Sequence, residues 1–199
     1  MNVERYCTVS VLLLIIVLTL TSCDQLAVVD RLGDERFELV NQNGEEVTFP
    51  DDFNGNVMLI GYVYTYCPDI CPMITHNMRA IDLELNDERV HFVSISFDPD
   101  RDSPEVLKRY AQSFQVDESR WTFLTGERRV VNSLLDRLEI RTVKTPTRFT
   151  DSGTPVYFID HTDRISLVDS DGNIRRHYQG SDLNRSKVAD DIRSVLNEL

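Results

Sequence analysis

The order of apolar and polar positions divides the chain into alternating strands and helices. Phe37-Glu38-Leu39-Val40 and Val47-Thr48-Phe49 flank the turn dipeptide Asn43-Gly44, which predicts a β-hairpin. Val57 to Tyr64 (VMLIGYVY) is apolar throughout and predicts a central, buried strand. It runs directly into Thr65-Tyr66-Cys67-Pro68-Asp69-Ile70-Cys71-Pro72. Beyond that loop Ile70, Ile74, Met78, Ile81 and Leu85 recur at helical spacing and form one stripe. His91 to Phe97 (HFVSISF) predicts a second strand, ended by Asp98-Pro99-Asp100. Ser103-Pro104-Glu105 opens a helix, with Ser103 as its cap and Pro104 in the first turn. Trp121 to Leu124 forms a third strand, and a helix covers about Glu127 to Leu138. The end of the chain reads as a strand at Val156 to Ile159, then a hairpin. Its strands are Ile165 to Val168 and Ile174 to Tyr178, around Asp171-Gly172, and a last helix follows from about Asn184.

Strands alternating with helices imply an α/β protein whose sheet contains parallel strands and is covered by helices. A β-hairpin and one last helix after the βαβ part is the ordering of a thioredoxin-like fold, here with a central mixed sheet and an added N-terminal β-hairpin. The 199 residues suit one well-buried domain, placed at 36–199, and no repeat or interdomain linker interrupts it.

The first residues are excluded from that fold. Val11 to Leu20 is an apolar run, broken only by Thr19, that ends in Leu20-Thr21-Ser22-Cys23. This is the layout of a secretory signal, and the ending resembles the lipobox of bacterial lipoproteins, in which the cysteine carries lipid. Residues 1–22 are then a lipoprotein-type signal peptide, with Cys23 lipidated and 23–35 a tether. The competing reading is an uncleaved anchor helix, since Tyr6 to Cys23 is near the lower limit for crossing a bilayer. Both readings hold the domain at a cell membrane on its non-cytoplasmic side. The net charge of −12 excludes nucleic acid as a partner, because a phosphate backbone demands clustered Lys and Arg.

Cysteine usage brings in the chemistry. Cys7 and Cys23 belong to the leader, so the soluble domain keeps only Cys67 and Cys71. Two cysteines four positions apart in an exported domain are a disulfide, a metal site, or both in turn. They lie where a strand enters a helix, and the unpaired N–H groups and partial positive charge of a helix start stabilise thiolate. Two thiolates with one imidazole form a soft set that favours Cu(I), whereas a closed zinc site has four ligands. Of the four histidines, His76 falls on the helix side opposite the apolar stripe and reads as a surface residue. His91 opens a strand, and His177 lies in the late hairpin. His161, in Asp160-His161-Thr162, enters that hairpin in the segment that passes over the cysteine loop in a thioredoxin-like fold. Spacing alone leaves His161 evenly divided between ligand and hydrogen-bonded turn histidine. Met73 reads as packing rather than as an auxiliary ligand. Asp98 either influences the site or is ordinary turn chemistry before Pro99. Asp160 looks like a partner for His161, but neighbouring residues of an extended chain point to opposite sides.

Three blocks then carry a resemblance. Tyr64-Thr65-Tyr66-Cys67-Pro68-Asp69-Ile70-Cys71-Pro72 resembles the signature of the SCO/SenC family of copper proteins. Ser96-Phe97-Asp98-Pro99-Asp100-Arg101-Asp102-Ser103-Pro104 is similar to the family's second block. Asp160-His161-Thr162, with Leu167-Val168-Asp169 and Asp171-Gly172, is similar to the third. The resemblance runs from about Phe37 to the end of the chain. Ser103 and Ser170 depart from the usual residues at their positions, neither of them a ligand position.

The resemblance implies copper ligation by Cys67, Cys71 and His161, as Cu(I) and, after oxidation, as Cu(II). It also implies a metallochaperone for the binuclear copper centre of cytochrome c oxidase, whose copper-bearing subunit is then the main partner. Other copper chaperones or a thiol reductant are further partners on this reading. The chief alternative is a thiol-disulfide oxidoreductase acting on the oxidase cysteines through Cys67 and Cys71. A peroxide-reducing enzyme fits less well, because it needs one reactive cysteine rather than a fixed Cys-Cys-His set.

Overall fold

The computed structural model describes residues 25–151, 153 and 155–199. The expected signal run, the alternative anchor Tyr6 to Cys23 and the lipidation at Cys23 lie outside the described residues. Among the described residues no helix is long and apolar enough to cross a membrane.

The core strands are β4 (Val57–Val63), β5 (Val90–Ser96) and β6 (Trp121–Thr125), which run parallel in the order β4-β5-β6. All seven residues of β4 are buried, as an uninterrupted apolar strand in the middle of a covered sheet must be. On one side of this trio lie β11 (Ile165–Val168), β12 (Asn173–Tyr178) and the short β1 (Asp30–Arg31), each antiparallel to its neighbour. On the other lie β2 (Phe37–Asn41) and β3 (Glu46–Phe49), the hairpin read from Asn43-Gly44. The result is an eight-stranded mixed sheet, β1-β12-β11-β4-β5-β6-β2-β3, with the helices α1 (Ile70–Leu85), α2 (Pro104–Phe114), α3 (Arg128–Arg137) and α4 (Arg185–Leu196). The architecture is the expected thioredoxin-like one. Helix α1 packs on β4, α2 and α4, and α3 packs on β2.

The predicted stripe of α1 is its buried side: Ile74, Met78 and Ile81 are fully enclosed, while His76 on the other side is exposed. Where this stripe crosses β4, Gly61 makes the close approach possible. A methyl group at Gly61 would lie 2.5 Å from the Met78 sulfur and 3.2 Å from Ile74 Cγ2. Gly61→Ala therefore overpacks the layer that carries the cysteine loop, and it should lower stability by about 1–3 kcal/mol. Denaturant melts of the two proteins check this, and an unchanged midpoint would mean that Met78 swings aside at no cost.

Three expectations are corrected. The described part of the expected 23–35 tether, residues 25–35, is more than a tether, since Leu26 and Leu32 are buried and Asp30–Arg31 pairs with β12. Val156 to Ile159 is not one strand. It divides into β9 (Pro155–Val156), which pairs with β8 (Arg148–Phe149), and β10 (Ile159–His161), which pairs with β7 (Thr142–Lys144). Ser103 occupies the cap position, but its hydroxyl donates to the Glu105 carboxylate at 2.7 Å rather than accepting from the helix backbone.

Arg175, on β12, is almost wholly buried and fastens both ends of the described chain. It donates to the Leu26 carbonyl at 2.8 Å, to Asp169 at 3.2 Å and to Glu198 at 2.7 Å. A buried guanidinium holds such a place only when its donors are matched by charge and acceptors.

Candidate metal centre

The site forms where β4 ends and α1 begins, opposite the arriving strand β10. Pro68 and Pro72 bracket the loop, and α1 starts at Ile70, so Cys71 sits in its first turn. The Cys71 backbone N–H donates to Cys67 Sγ at 3.4 Å, so a helix-start donor is aimed at the first sulfur. Cys71 is buried and Cys67 half-buried, and both are free thiols. His161 comes from β10, held there by pairing with Thr142. Its Nε2 stands 3.5 Å from Cys71 Sγ. One donor atom from each of Cys67, Cys71 and His161 falls within 4.8 Å of the others.

The histidine is oriented by what surrounds it. Its Nδ1 lies 3.0 Å from the Thr162 carbonyl, which can only accept, so Nδ1 carries the proton of the neutral ring. That leaves the Nε2 lone pair directed at the sulfurs, the arrangement a ligating imidazole needs. The ring packs against Phe97 at 4.5 Å and meets Tyr64 edge-on at 6.5 Å. The Tyr64 hydroxyl accepts from the Ile159 backbone N–H at 3.3 Å and so ties β10 to the end of β4.

The two thiols are unequal. Cys67 is held well below the usual thiol range, first because the Cys71 thiol donates to it and then through the backbone N–H groups of Cys71 and Asp69. Cys71 is pushed up, chiefly by its burial and then by the neighbouring Cys67 sulfur. The pair therefore shares one proton, on the inner sulfur, with the outer sulfur ionised. An outer thiolate, an inner thiol that surrenders its proton to a cation, and a directed imidazole form a three-donor pocket. Its softness matches Cu(I) among first-row metals.

Behind the loop stands a network that the sequence blocks contained but did not reveal. Asp102 is fully buried and accepts from the Thr65 hydroxyl at 2.6 Å, the Thr65 backbone N–H at 3.2 Å and the Ser96 hydroxyl at 2.6 Å. It pins the strand ends two residues before Cys67, and its burial raises its pKa. Asp98 is neither a free acid nor a simple turn residue. It is buried, pairs with Arg101 and accepts from the Tyr157 hydroxyl at 2.9 Å. Spacing offered no signal for the second contact, because Tyr157 arrives from 59 positions away.

The remaining candidates disperse. His91 bonds Thr122 at 2.8 Å, and burial pushes its pKa down to about 4. His177 meets Ser166 at 3.0 Å. His76 is exposed, and so is Asp160, which points away from the site as strand alternation requires. Met73 is 45% exposed, so the expectation that it packs in the core is corrected. It lies one position off the buried stripe, which leaves it outside core and site alike.

A profile of the SCO1/SenC family matches residues 29–197. A SCO2-like protein of Rickettsia felis is 33% identical over 144 residues, covering 71% of this chain and 67% of its own length. Among solved structures, that of Bradyrhizobium japonicum ScoI with copper bound superposes with a TM-score of 0.66 at 30% identity, over 81% of this chain and 98% of that one. Yeast Sco1 with copper bound superposes at 0.70 with 25% identity, over 83% and 88% of the two chains. With the cysteine loop and His161 brought together at one site, the chain belongs to the SCO1/SenC family.

Proposed function

We propose that this chain is a copper metallochaperone that binds one copper ion through Cys67, Cys71 and His161 and passes it to the binuclear copper centre of cytochrome c oxidase. The observation that carries the reading is the convergence of the three donor atoms within 4.8 Å, with the histidine supplied by a strand 90 positions away. The copper-bound relatives point to the same cargo. A plain disulfide reductase has no use for an imidazole whose free nitrogen faces the sulfurs. The test is copper stoichiometry of the reduced domain under anaerobic conditions: one Cu(I) per chain is expected, and none would end the proposal.

Binding should depend on pH in a definite direction. Cys71 keeps its proton because its pKa is raised, whereas Cys67 is already ionised because its pKa is lowered. Copper must displace the Cys71 proton, so affinity should fall about ten-fold per unit as the pH drops through the neutral range. His161→Ala should lower the affinity at every pH and leave this slope unchanged, since the Cys71 proton sets it. A competition titration across pH checks both, and an identical curve for the variant would remove His161 from the ligand set.

The domain is held at the membrane by lipid on Cys23, following the Leu20-Thr21-Ser22-Cys23 ending. Cys23→Ser should leave an unprocessed precursor lacking lipid. Normal processing of that variant would favour the anchor helix instead.

A further inference from the structure

Two side chains on α1 stand out beside the metal centre. Of the described methionines, Met58 and Met78 are buried and Met73 is 45% exposed. Of the four histidines, His91, His161 and His177 each have a hydrogen-bonding partner. His76 is exposed, and among the described residues neither of its ring nitrogens has one. The exposed methionine and the unengaged histidine lie three positions apart on the same helix. Residues at that spacing share a face with Cβ atoms about 5–6 Å apart, close enough for a thioether and an imidazole to hold one ion between them.

Both side chains line one open depression of about 350 Å³, whose other walls are Pro72, Asn77 and Phe114. Phe114 ends α2, and its ring is braced by Tyr110 at 4.8 Å. The Asn77 amide is committed to the Gly180 carbonyl at 2.9 Å, and Arg79, one turn beyond His76, donates to the Gln115 carbonyl at 3.4 Å. The walls of the depression include no carboxylate. That charge balance decides which ion fits. Met73 lies in the first turn of α1, where the partial positive charge of the helix start opposes any cation and opposes a divalent one more. A thioether is a soft donor that selects Cu(I), and imidazole suits copper as well. Zinc normally requires four ligands, and calcium and magnesium require oxygens.

We propose that Met73 and His76 form a second Cu(I) site on the outer side of α1, weaker than the site of Cys67, Cys71 and His161 and filled only after it. Two neutral donors at the surface hold the ion less firmly than two thiolates with an imidazole, so the outer ion exchanges with the medium and is lost on desalting. One retained Cu(I) per chain therefore remains the count for the inner site. The two ions are kept apart by the helix itself, because Met73 lies roughly 200° further round α1 than Cys71.

The test uses the reduced chain under anaerobic conditions, first given one equivalent of Cu(I) and then a second, supplied as the acetonitrile complex. NMR signals of the methionine methyl groups and histidine rings report the outer site directly. The Met73 methyl and His76 ring signals should move together on the second equivalent, while those of the buried Met58 and Met78 stay in place. Met73→Leu and His76→Gln should each weaken the second binding step about ten-fold or more. Both variants should keep the first ion and the wild-type denaturant midpoint, since both side chains are exposed and neither belongs to the inner site. In Cys67→Ser/Cys71→Ser the outer pair should still take up one Cu(I), which separates its fate from that of the inner site. A second equivalent that moves neither signal overturns the proposal. So does a second ion whose affinity neither substitution changes, which is an adventitious ion only. Zinc that moves the same two signals at equal or lower concentration overturns the assignment to Cu(I).

Discussion

Replacing either Cys67 or Cys71 by serine will abolish tight one-to-one copper binding. Apparent energies for structural metal sites of about 10–16 kcal/mol, divided over three or four ligands, assign roughly 3–5 kcal/mol to each, or at least two decades of affinity. A serine hydroxyl is a hard, protonated donor at neutral pH and replaces none of that for Cu(I). The two variants will differ in a secondary way. Loss of Cys67 removes the ionised outer sulfur that receives the Cys71 backbone N–H, whereas loss of Cys71 places a hydroxyl in a fully enclosed position. A small loss of thermal stability is therefore expected for Cys71→Ser alone. Anaerobic titration with a competing Cu(I) chelator is the measurement, and wild-type affinity in either variant would dismiss the three-donor site.

His161→Ala will stop copper-site maturation of the oxidase in cells while leaving disulfide reduction by Cys67 and Cys71 largely intact. The imidazole contributes to the thiols only through the 3.5 Å contact with Cys71, but it supplies one donor of three to a metal. Oxidase activity should fall to the level of the cysteine variants at matched protein levels and without added copper. Reduction of a small test disulfide in vitro should stay within a few-fold of wild type, since the nucleophilic sulfur and its helix-start donor are unchanged. A reductase that merely tolerates copper gives the opposite pattern, with normal maturation in the His161 variant and failure only in the cysteine variants.

Much of this was legible in the sequence because the informative elements are long and periodic. The unbroken apolar run of β4 and the five-residue stripe of α1 state their own burial, and the loop between them locates both cysteines at a helix start. His161 was reachable only through resemblance, since pairing with Thr142 across a long excursion is what brings it to the sulfurs. Strands of two or three residues, such as β1, β8 and β9, are shorter than one period of alternation, so no pattern announces them. Met73 and Met78 look alike as letters, yet their places on the helix send one outward and the other into the core. The supports formed by Asp98 and Asp102 were hidden for another reason. Beside the near donors Arg101 and Ser96, each acid takes a distant one, Tyr157 for Asp98 and Thr65 for Asp102, 59 and 37 positions away, and composition near the acids says nothing about those.

The Arg175 fastening gives the domain a mechanical property. Leu26, where the described chain enters the domain, and Glu198, near its end, are held by one buried side chain that also grips the Asp169 turn. Strain applied where the described chain enters the domain therefore falls on a guanidinium at the β1/β12 edge of the sheet, away from the strand end that carries the cysteines. The proposed tether and the metal site are thereby separable, so changes before Leu26 should leave the geometry of the three donors as it is.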